Sequence, residues 1–283
     1  MQVDLKEIDR IIRIALAEDI GDGDITSNLV IPKEQKDSMS FVPREDIVAC
    51  GFPVISRLYQ LAAEDMGVAL SFEQITKEGE LVESGQIMAK ISGNSRAILA
   101  TERVALNLLQ HMCGIATQAN KFAQEVAGLD VKILDTRKTL PGLRWIEKYA
   151  VFIGGCYNHR MGLYDMIMIK DNHILAAGSI TKAIEYAKNS NTKLMIEVEC
   201  DNFEQVKEAV TVMPNRIMLD NMSITELNQS VEYIKNNGQG EIEIEASGNV
   251  TISTIKEIAQ TGIDYISSGA LTHSAPNSDI GLD

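Results

Sequence analysis

The sequence has no Cys-x-x-Cys pair; its four cysteines, Cys50, Cys113, Cys156 and Cys200, are scattered through 283 residues. That spacing offers neither a disulfide frame nor a zinc site, and the thiols read as the reduced cysteines of a cytoplasmic protein. No apolar run approaches the roughly 18 residues of a membrane helix, which removes a membrane span. The charged start Met1-Gln2-Val3-Asp4-Leu5-Lys6-Glu7 has no apolar core segment and is not expected to act as a secretory signal. Positive charge is scarce as well. Lys and Arg number 26 against 40 Asp and Glu, a net −14, and such a surface repels nucleic acid and anionic lipid. With 45% apolar and 23% charged residues, the composition is that of a folded chain, long enough for one large domain plus a smaller one.

The deficit of positive charge is uneven. Between Thr136 and Lys170 stand Arg137, Lys138, Arg144, Lys148, Arg160 and Lys170, against only Glu147 and Asp165. A basic island in an acidic chain suggests a pocket for a small anion; the alternative is a solvated face with chance clustering.

Along the chain, Leu5, Ile8, Ile11, Ile12, Ala15 and Leu16 form one apolar stripe and predict a helix over residues 4–18, capped by Asp4 and stopped at Gly21. The acidic stretch from Gly21 to Ser27, with Glu18 and Asp19 before it, could hold calcium, but it lacks the later glutamate of an EF-hand loop and reads better as a surface turn. From Ser38 to Gly93 short alternating runs predict strands, interrupted by a helix from Pro53 to Met66. The segment Glu78–Gly85 resembles the hairpins of lipoyl and biotinyl carrier domains, yet lacks their lysine at the turn tip, and is read as structural only. A long helix is expected over residues 97–126, kinked or broken near Gly114.

After Leu129 six short β-branched or apolar runs, at residues 131–134, 166–169, 194–198, 216–219, 241–244 and 264–266, alternate with helical segments. Strands alternating with helices mean βα units and a parallel sheet, and the steady repeat favours a barrel. Six good strands and a doubtful seventh predict an open, incomplete barrel. No Gly-x-Gly-x-x-Gly follows the first strand, which argues against a dinucleotide-binding domain. Each strand runs into polar residues: Asp135-Thr136-Arg137-Lys138, Lys170-Asp171-Asn172-His173, Glu199, Asp220-Asn221, Ser247-Gly248 and Ser267-Ser268-Gly269. In a βα barrel these ends converge on one mouth, where active sites are built. Arg137, Lys138, His159, Arg160 and Lys170 could grip anions through charge-assisted bonds of roughly 1.5–3 kcal/mol each. Glu199 and Asp220 could hold magnesium or stabilise developing positive charge. Ser247-Gly248-Asn249 and Ser268-Gly269-Ala270 are small-residue turns ahead of helix starts, the places where barrels bind phosphate with backbone N–H groups. These groups fit an anionic, phosphorylated, metal-bound substrate. His111, His273 and the pair Trp145 and Tyr149 read as packing, surface or cap residues. Adjacent Glu102 and Arg103 in an apolar helix require a partner or an interface for at least one of them.

With these residues in hand, the sequence resembles the quinolinate phosphoribosyltransferase family over essentially its whole length. The resemblance rests on ordered motifs: Glu18-Asp19-Ile20-Gly21-Asp22-Gly23-Asp24-Ile25-Thr26-Ser27, Thr101-Glu102-Arg103, Asp135 through Arg144, Asn158 through Asp165, Ile169-Lys170-Asp171-Asn172-His173, Glu197-Val198-Glu199, Leu219-Asp220-Asn221-Met222 and Glu245-Ala246-Ser247-Gly248. It implies an α/β fold with an N-terminal α/β sandwich domain over residues 1–112, against which a tail at 271–283 could pack, plus an open α/β barrel over 113–270 that carries the active site. The implied reaction transfers phosphoribosyl from phosphoribosyl pyrophosphate to quinolinate with decarboxylation, giving nicotinate mononucleotide, pyrophosphate and CO2 for NAD biosynthesis. Carried onto this chain, Thr136, Arg137, Lys138, His159 and Arg160 would bind quinolinate, with Lys170 near the phosphoribosyl donor. Glu199 and Asp220 would face the ribose and its Mg2+, directly or through water; with Lys138 and Lys170 they form the implied catalytic set. The two Ser-Gly turns would hold the 5-phosphate. The resemblance further implies a homodimer in which Arg103 completes the neighbouring site. One departure is Cys156, where a third small residue is expected after Gly154-Gly155.

Two other readings compete. A Schiff-base lyase would use Lys170 as nucleophile and would need it desolvated. A non-catalytic relative, like the molybdenum-associated paralogues of the family, would bind an anionic small molecule without turning it over.

Overall fold

The computed structural model describes residues 4–190 and 192–283; Met1–Val3, part of the amino-terminal reading above, and Asn191 lie outside the described residues. The chain divides into two compact units. The first runs to Asn120 and also takes up Leu140–Gly155 and Ala275–Asp283; the second comprises Lys121–Thr139 and Cys156–Ser274.

The apolar stripe at the start forms α1 (Leu5–Ile20), with Asp4 accepting from the N–H groups of Lys6 and Glu7 and Gly21 ending it at φ 52°. The expected turn at residues 21–27 is half helix. Asp24 accepts from Ser27 N–H and starts α2 (Ile25–Val30), so that carboxylate is occupied as a cap. Next come β1 (Lys36–Pro43), β2 (Ile47–Val48), α3 (Phe52–Met66), β3 (Leu70–Gln74), β4 (Leu81–Val82) and β5 (Ala89–Asn94). The segment expected as a self-contained hairpin is not one: β4 pairs with β2, antiparallel. Helix α3 has no side-chain cap of its own; Glu78 supplies one, accepting from Gly51 N–H at 2.9 Å and Phe52 N–H at 2.7 Å. Arg57 of α3 is paired with Asp9 of α1 at 2.7 Å.

Helix α4 (Ser95–Glu125) continues through Gly114 without the expected break. Glycine is required there for room, since a Cβ would lie 2.0 Å from the Pro276 carbonyl oxygen. After β6 (Lys132–Leu134), helix α5 (Arg144–Ile153) belongs to the first unit, as does the terminal β12 (Ile280–Leu282). The first unit's main sheet has the order β12-β1-β5-β3, antiparallel throughout. Phe41, Tyr59 and Phe72 pack in its core, with Tyr59 and Phe72 stacked at 6.0 Å.

The second unit is built from β6, β7 (Ile167–Ile169), α6 (Asp171–Ala177), α7 (Ile180–Lys188), β8 (Ile196–Cys200), α8 (Phe203–Thr211), β9 (Arg216–Asp220), α9 (Ile224–Asn237), β10 (Glu243–Ser247), α10 (Ile255–Ala259), β11 (Tyr265–Ser267) and a 3-10 turn at Gly269–Leu271. All six expected strands are present, parallel, in the order β6-β11-β10-β9-β8-β7. Among the described residues the edge strands β6 and β7 do not pair with each other, so the barrel is open. Alternation along the strands separates two faces. Val198, Ile217, Leu219 and Ile244 are buried on one, while Glu197, Glu199, Met218, Asp220, Glu245 and Ser247 share the other.

Candidate active site

The polar strand ends meet as the sequence pattern requires. A cavity of about 780 Å³, lined only by residues of the second unit, opens at the carboxyl ends of β6 to β11. One wall is basic: Thr136, Arg137 and Lys138 follow β6, His159 and Arg160 precede β7, and Lys170 follows it. Glu199 and Asp220 line the same cavity, and the turns Ser247-Gly248-Asn249 and Ser268-Gly269-Ala270 complete the lining. Every sequence-predicted site residue is therefore gathered here except Arg103, which is exposed on α4 of the first unit. The basic island is split: Arg144 and Lys148 stand on α5 of the first unit, and Lys148 is buried.

The basic wall is held from behind by Asp135, which is fully buried at the end of β6. Its Oδ1 accepts from the backbone N–H of His159 at 2.9 Å and its Oδ2 from Asn158 Nδ2 at 2.7 Å. Lys138 N–H donates to Thr136 Oγ1 at 3.0 Å, and the Lys138 carbonyl accepts from Thr272 Oγ1 at 2.8 Å. Burial, together with the neighbouring charge of Arg137, holds the Arg160 guanidinium below the usual arginine range. Two guanidinium groups that repel each other beside a cavity favour an anion between them.

The acidic wall is tied to the basic one, since Lys170 Nζ donates to Glu199 Oε2. Glu199, Asp220 and Asp201, which the sequence reading passed over, bring carboxylate oxygens within 4.8 Å of one another. That set of hard oxygen donors fits a magnesium ion. Asp220 Oδ2 accepts from Asn221 Nδ2 at 2.6 Å, and Asn221 Oδ1 from Asn249 Nδ2 at 3.0 Å. Gly248 sits where a Cβ would lie 2.3 Å from Asn221 Oδ1, at φ 93°, so glycine is required by both space and backbone. The predicted helix start after this turn lies further on, at Ile255, because Thr251 and Thr254 first close a turn. Ser268 caps the 3-10 turn, accepting from Ala270 N–H at 3.3 Å.

Three histidines differ in their surroundings. His273, read from sequence as a surface or cap residue, is exposed and also lines the cavity; a Cβ on Gly269 would lie 2.8 Å from its Nε2 and 2.9 Å from Lys138 Cδ. His111 is structural, bound to Glu147 and Asn277. His159 borders the cavity, but its ring is engaged within the protein: Nδ1 accepts from Arg160 N–H at 2.7 Å, and Nε2 lies 3.1 Å from Glu197 Oε2. Burial opposes charge on this ring, but the bonds to Glu197 and Glu245 outweigh it and push the pKa up to about 9. A charged ring would put a second proton on Nδ1, against the Arg160 contact, so that contact belongs to the neutral ring. Glu197 and Glu245, quoted from the sequence within motifs but given no role there, are fully buried; alternation along a strand does not say which face is wet.

All four cysteines are free and buried, and burial pushes the Cys156 thiol up to about 12. Trp145 and Tyr149 stack at 5.5 Å. Among the described residues no helix is long and apolar enough to cross a membrane.

Residues 24–113 match the N-terminal domain, and residues 115–283 the C-terminal domain, of the family described as quinolinate phosphoribosyl transferase. The chain is 42% identical over 296 residues to the chloroplastic nicotinate-nucleotide pyrophosphorylase [carboxylating] of Arabidopsis thaliana, covering 98% of this chain and 82% of that protein. It is 40% identical over 299 residues to the mitochondrial quinolinate phosphoribosyltransferase [decarboxylating] 2b of Nicotiana tabacum, covering 99% and 82%. The crystal structure of NadC from Streptococcus pyogenes superposes with a TM-score of 0.92 at 37% identity, covering 100% of this chain and 98% of that one.

Proposed function

The chain belongs to the quinolinate phosphoribosyltransferase family, and from that premise we propose that the cavity at the mouth of the open barrel is its active site. The enzyme transfers phosphoribosyl from phosphoribosyl pyrophosphate to quinolinate with decarboxylation, releasing pyrophosphate and CO2 and forming nicotinate mononucleotide in NAD biosynthesis. The observation that carries the site assignment is the gathering of Arg137, Lys138, Arg160 and Lys170 with Glu199 and Asp220 around one cavity.

In this reading Arg137, Lys138 and Arg160 bind the two quinolinate carboxylates, with Thr136 beside them, and Lys170 lies at the donor. The Ser247-Gly248-Asn249 and Ser268-Gly269-Ala270 turns present backbone N–H groups to the 5-phosphate. As pyrophosphate departs, oxocarbenium character grows at ribose C1, and Glu199 and Asp220 stabilise it electrostatically. Attack by the ring nitrogen on C1 makes a pyridinium, whose positive nitrogen accepts the electron pair of the breaking bond as the adjacent carboxylate leaves as CO2. A proton then takes its place on the ring carbon. Glu199 and Asp220, with Asp201, would hold Mg2+, which when bound neutralises charge on the pyrophosphate. Before CO2 is lost the site must hold two carboxylates, which accounts for several cations where one arginine would serve for nicotinate.

We assign residues 1–112 with the 271–283 tail to the smaller domain and 113–270 to the barrel domain. We further propose a homodimer in which the exposed Arg103 completes the partner's site, and, from the four free cysteines, a cytoplasmic enzyme. The lyase alternative is disfavoured because the Lys170 side chain is 41% exposed and paired with Glu199, where a Schiff-base lysine needs desolvation. The deciding assay supplies quinolinate, phosphoribosyl pyrophosphate and Mg2+ to pure folded protein. Release of both CO2 and pyrophosphate is expected, and release of neither would leave only the binding-protein reading. For the dimer, Arg103→Ala chains mixed with Lys170→Ala chains should regain activity in hybrids; mixtures as inactive as their parents would end the shared-site proposal.

A further inference from the structure

Below the cavity lies a charged cluster for which the reaction just described has no use. Glu197 of β8 and Glu245 of β10 are fully buried, and Arg216 of β9, paired in register with Glu197 on one side and Glu243 on the other, is 8% exposed. Arg216 Nη1 lies 2.9 Å from Glu245 Oε2 and its Nη2 2.9 Å from Glu243 Oε2, with the guanidinium 3.8 Å above the Tyr265 ring. One guanidinium shared between Glu243 and Glu245 leaves Glu197 dependent on another donor. The polar group nearest to it is His159 Nε2, 3.1 Å from Glu197 Oε2 and 3.5 Å from Glu245 Oε2, an approach in which neither Glu197 oxygen completes a hydrogen bond among the described residues. Buried carboxylates carry a desolvation penalty of several kcal/mol each unless their partners offset it, so stability alone is a poor account of this arrangement. The three donors could gather round a cation, but Arg216 already supplies positive charge to Glu245.

The cluster connects to the cavity through a single side chain. His159 sets Nε2 against the buried carboxylates, while its Nδ1 accepts from the backbone N–H of Arg160 at 2.7 Å. The same segment is fastened by Asp135 to His159 N–H, and Arg160 Nη1 donates to Met166 O at 3.3 Å. We propose that Glu197 and Glu245 are positioning residues: they fix the His159 imidazole, and the imidazole fixes the backbone turn that aims Arg160 at a carboxylate of the substrate. His159 then serves quinolinate from behind the basic wall, as an anchor for the residue that touches it. Misplacing a binding group by an ångström can cost roughly a hundredfold in rate, so a rigid mount for Arg160 has a purpose that a solvated arginine lacks.

The inference rests on the reading that Arg160 receives quinolinate, and the test separates the two. Quinolinate affinity is measured directly by calorimetry, alongside the KM for each substrate, on the full chain. Glu197→Met keeps the volume and removes the acceptor. It should weaken quinolinate roughly tenfold or more and leave the KM for phosphoribosyl pyrophosphate within about twofold. Glu197→Gln, which still offers an oxygen to Nε2, should recover most of that loss. Added to Arg160→Ala, Glu197→Met should cost less than about twofold further, because both act through one contact. If Arg160→Ala weakens quinolinate and Glu197→Met does not, the positioning role is overturned and the site reading stands. If Arg160→Ala leaves quinolinate affinity unchanged, the carboxylate reading itself falls. An equal loss for both substrates overturns positioning in favour of general loosening. Should Glu197→Met not fold, Glu245→Gln carries the same expectation of a quinolinate-selective loss, and its absence overturns the proposal.

Discussion

Each unit buries one histidine–glutamate pair, and the two pairs are partnered differently. In the first unit His111 Nε2 lies 3.0 Å from Glu147 Oε1 and its Nδ1 3.1 Å from Asn277 Oδ1, while Leu140 N–H donates to both Glu147 oxygens at 3.2 and 3.3 Å. Both nitrogens and both oxygens are used within that unit. In the second unit His159 Nε2 lies 3.1 and 3.5 Å from two carboxylates, and among the described residues both Glu197 oxygens and Glu245 Oε1 have no hydrogen-bond partner. A satisfied buried network rigidifies the fold, whereas an under-satisfied one beneath a cavity marks where stability has been exchanged for binding geometry. The same two residue types thus perform a structural task in one place and a functional one in the other.

The comparison breaks most visibly at Arg216. Arg216→Met should destabilise the protein by about 3–5 kcal/mol in denaturant titrations, because it leaves buried carboxylates without their cation. A loss of less than about 1 kcal/mol would mean that the cluster is internally balanced without it. Next in size, His111→Ala should cost about 1–3 kcal/mol of stability by stranding Glu147, with both substrate KM values unchanged. A shifted KM would erase the distinction between the two pairs. Arg137→Ala should do the reverse, weakening quinolinate at least tenfold, about 1.4 kcal/mol, with stability preserved. Unchanged affinity would remove Arg137 from the carboxylate site.

Much of this was legible in the sequence, for local reasons. The six barrel strands stood out because each apolar run is short, is flanked by helical periodicity and ends in polar residues; those ends did converge on one cavity. What escaped depended on contacts distant in sequence. Gly114 reads as a helix breaker until Pro276 is found against it. The cap of α3 comes from Glu78, far along the chain from the Gly51 and Phe52 N–H groups that it accepts from. Glu197 and Glu245 stood in the motifs without a role of their own, because the alternating pattern gives the period and not which face is wet. Asp24 was read as a turn residue because only six residues of helix follow it, too few for periodicity to register.

The finest difference between the two pairs is their dependence on pH. Burial works against charge on His111, but the hydrogen bonds to Glu147 and Asn277 and the charge of Glu147 outweigh it, and its pKa is raised above 6.5. A histidine that binds its proton more tightly when folded adds stability that is fully present below the unfolded pKa and disappears as pH rises through the folded one. His159 is raised to about 9, but charging its ring gives up the Nδ1 contact with Arg160 N–H, so its proton exchanges one contact for another. Wild-type stability should therefore decline above about pH 6.5. The stability gap between wild type and His111→Gln should narrow as pH rises, since glutamine keeps a neutral partner for Glu147 and has no proton to lose. Denaturant titrations at a series of pH values from 6 to 9 read this directly. A gap that widened with pH would mean that His111 is neutral in the folded chain, and the first pair would then be a hydrogen bond between a neutral ring and a carboxylate.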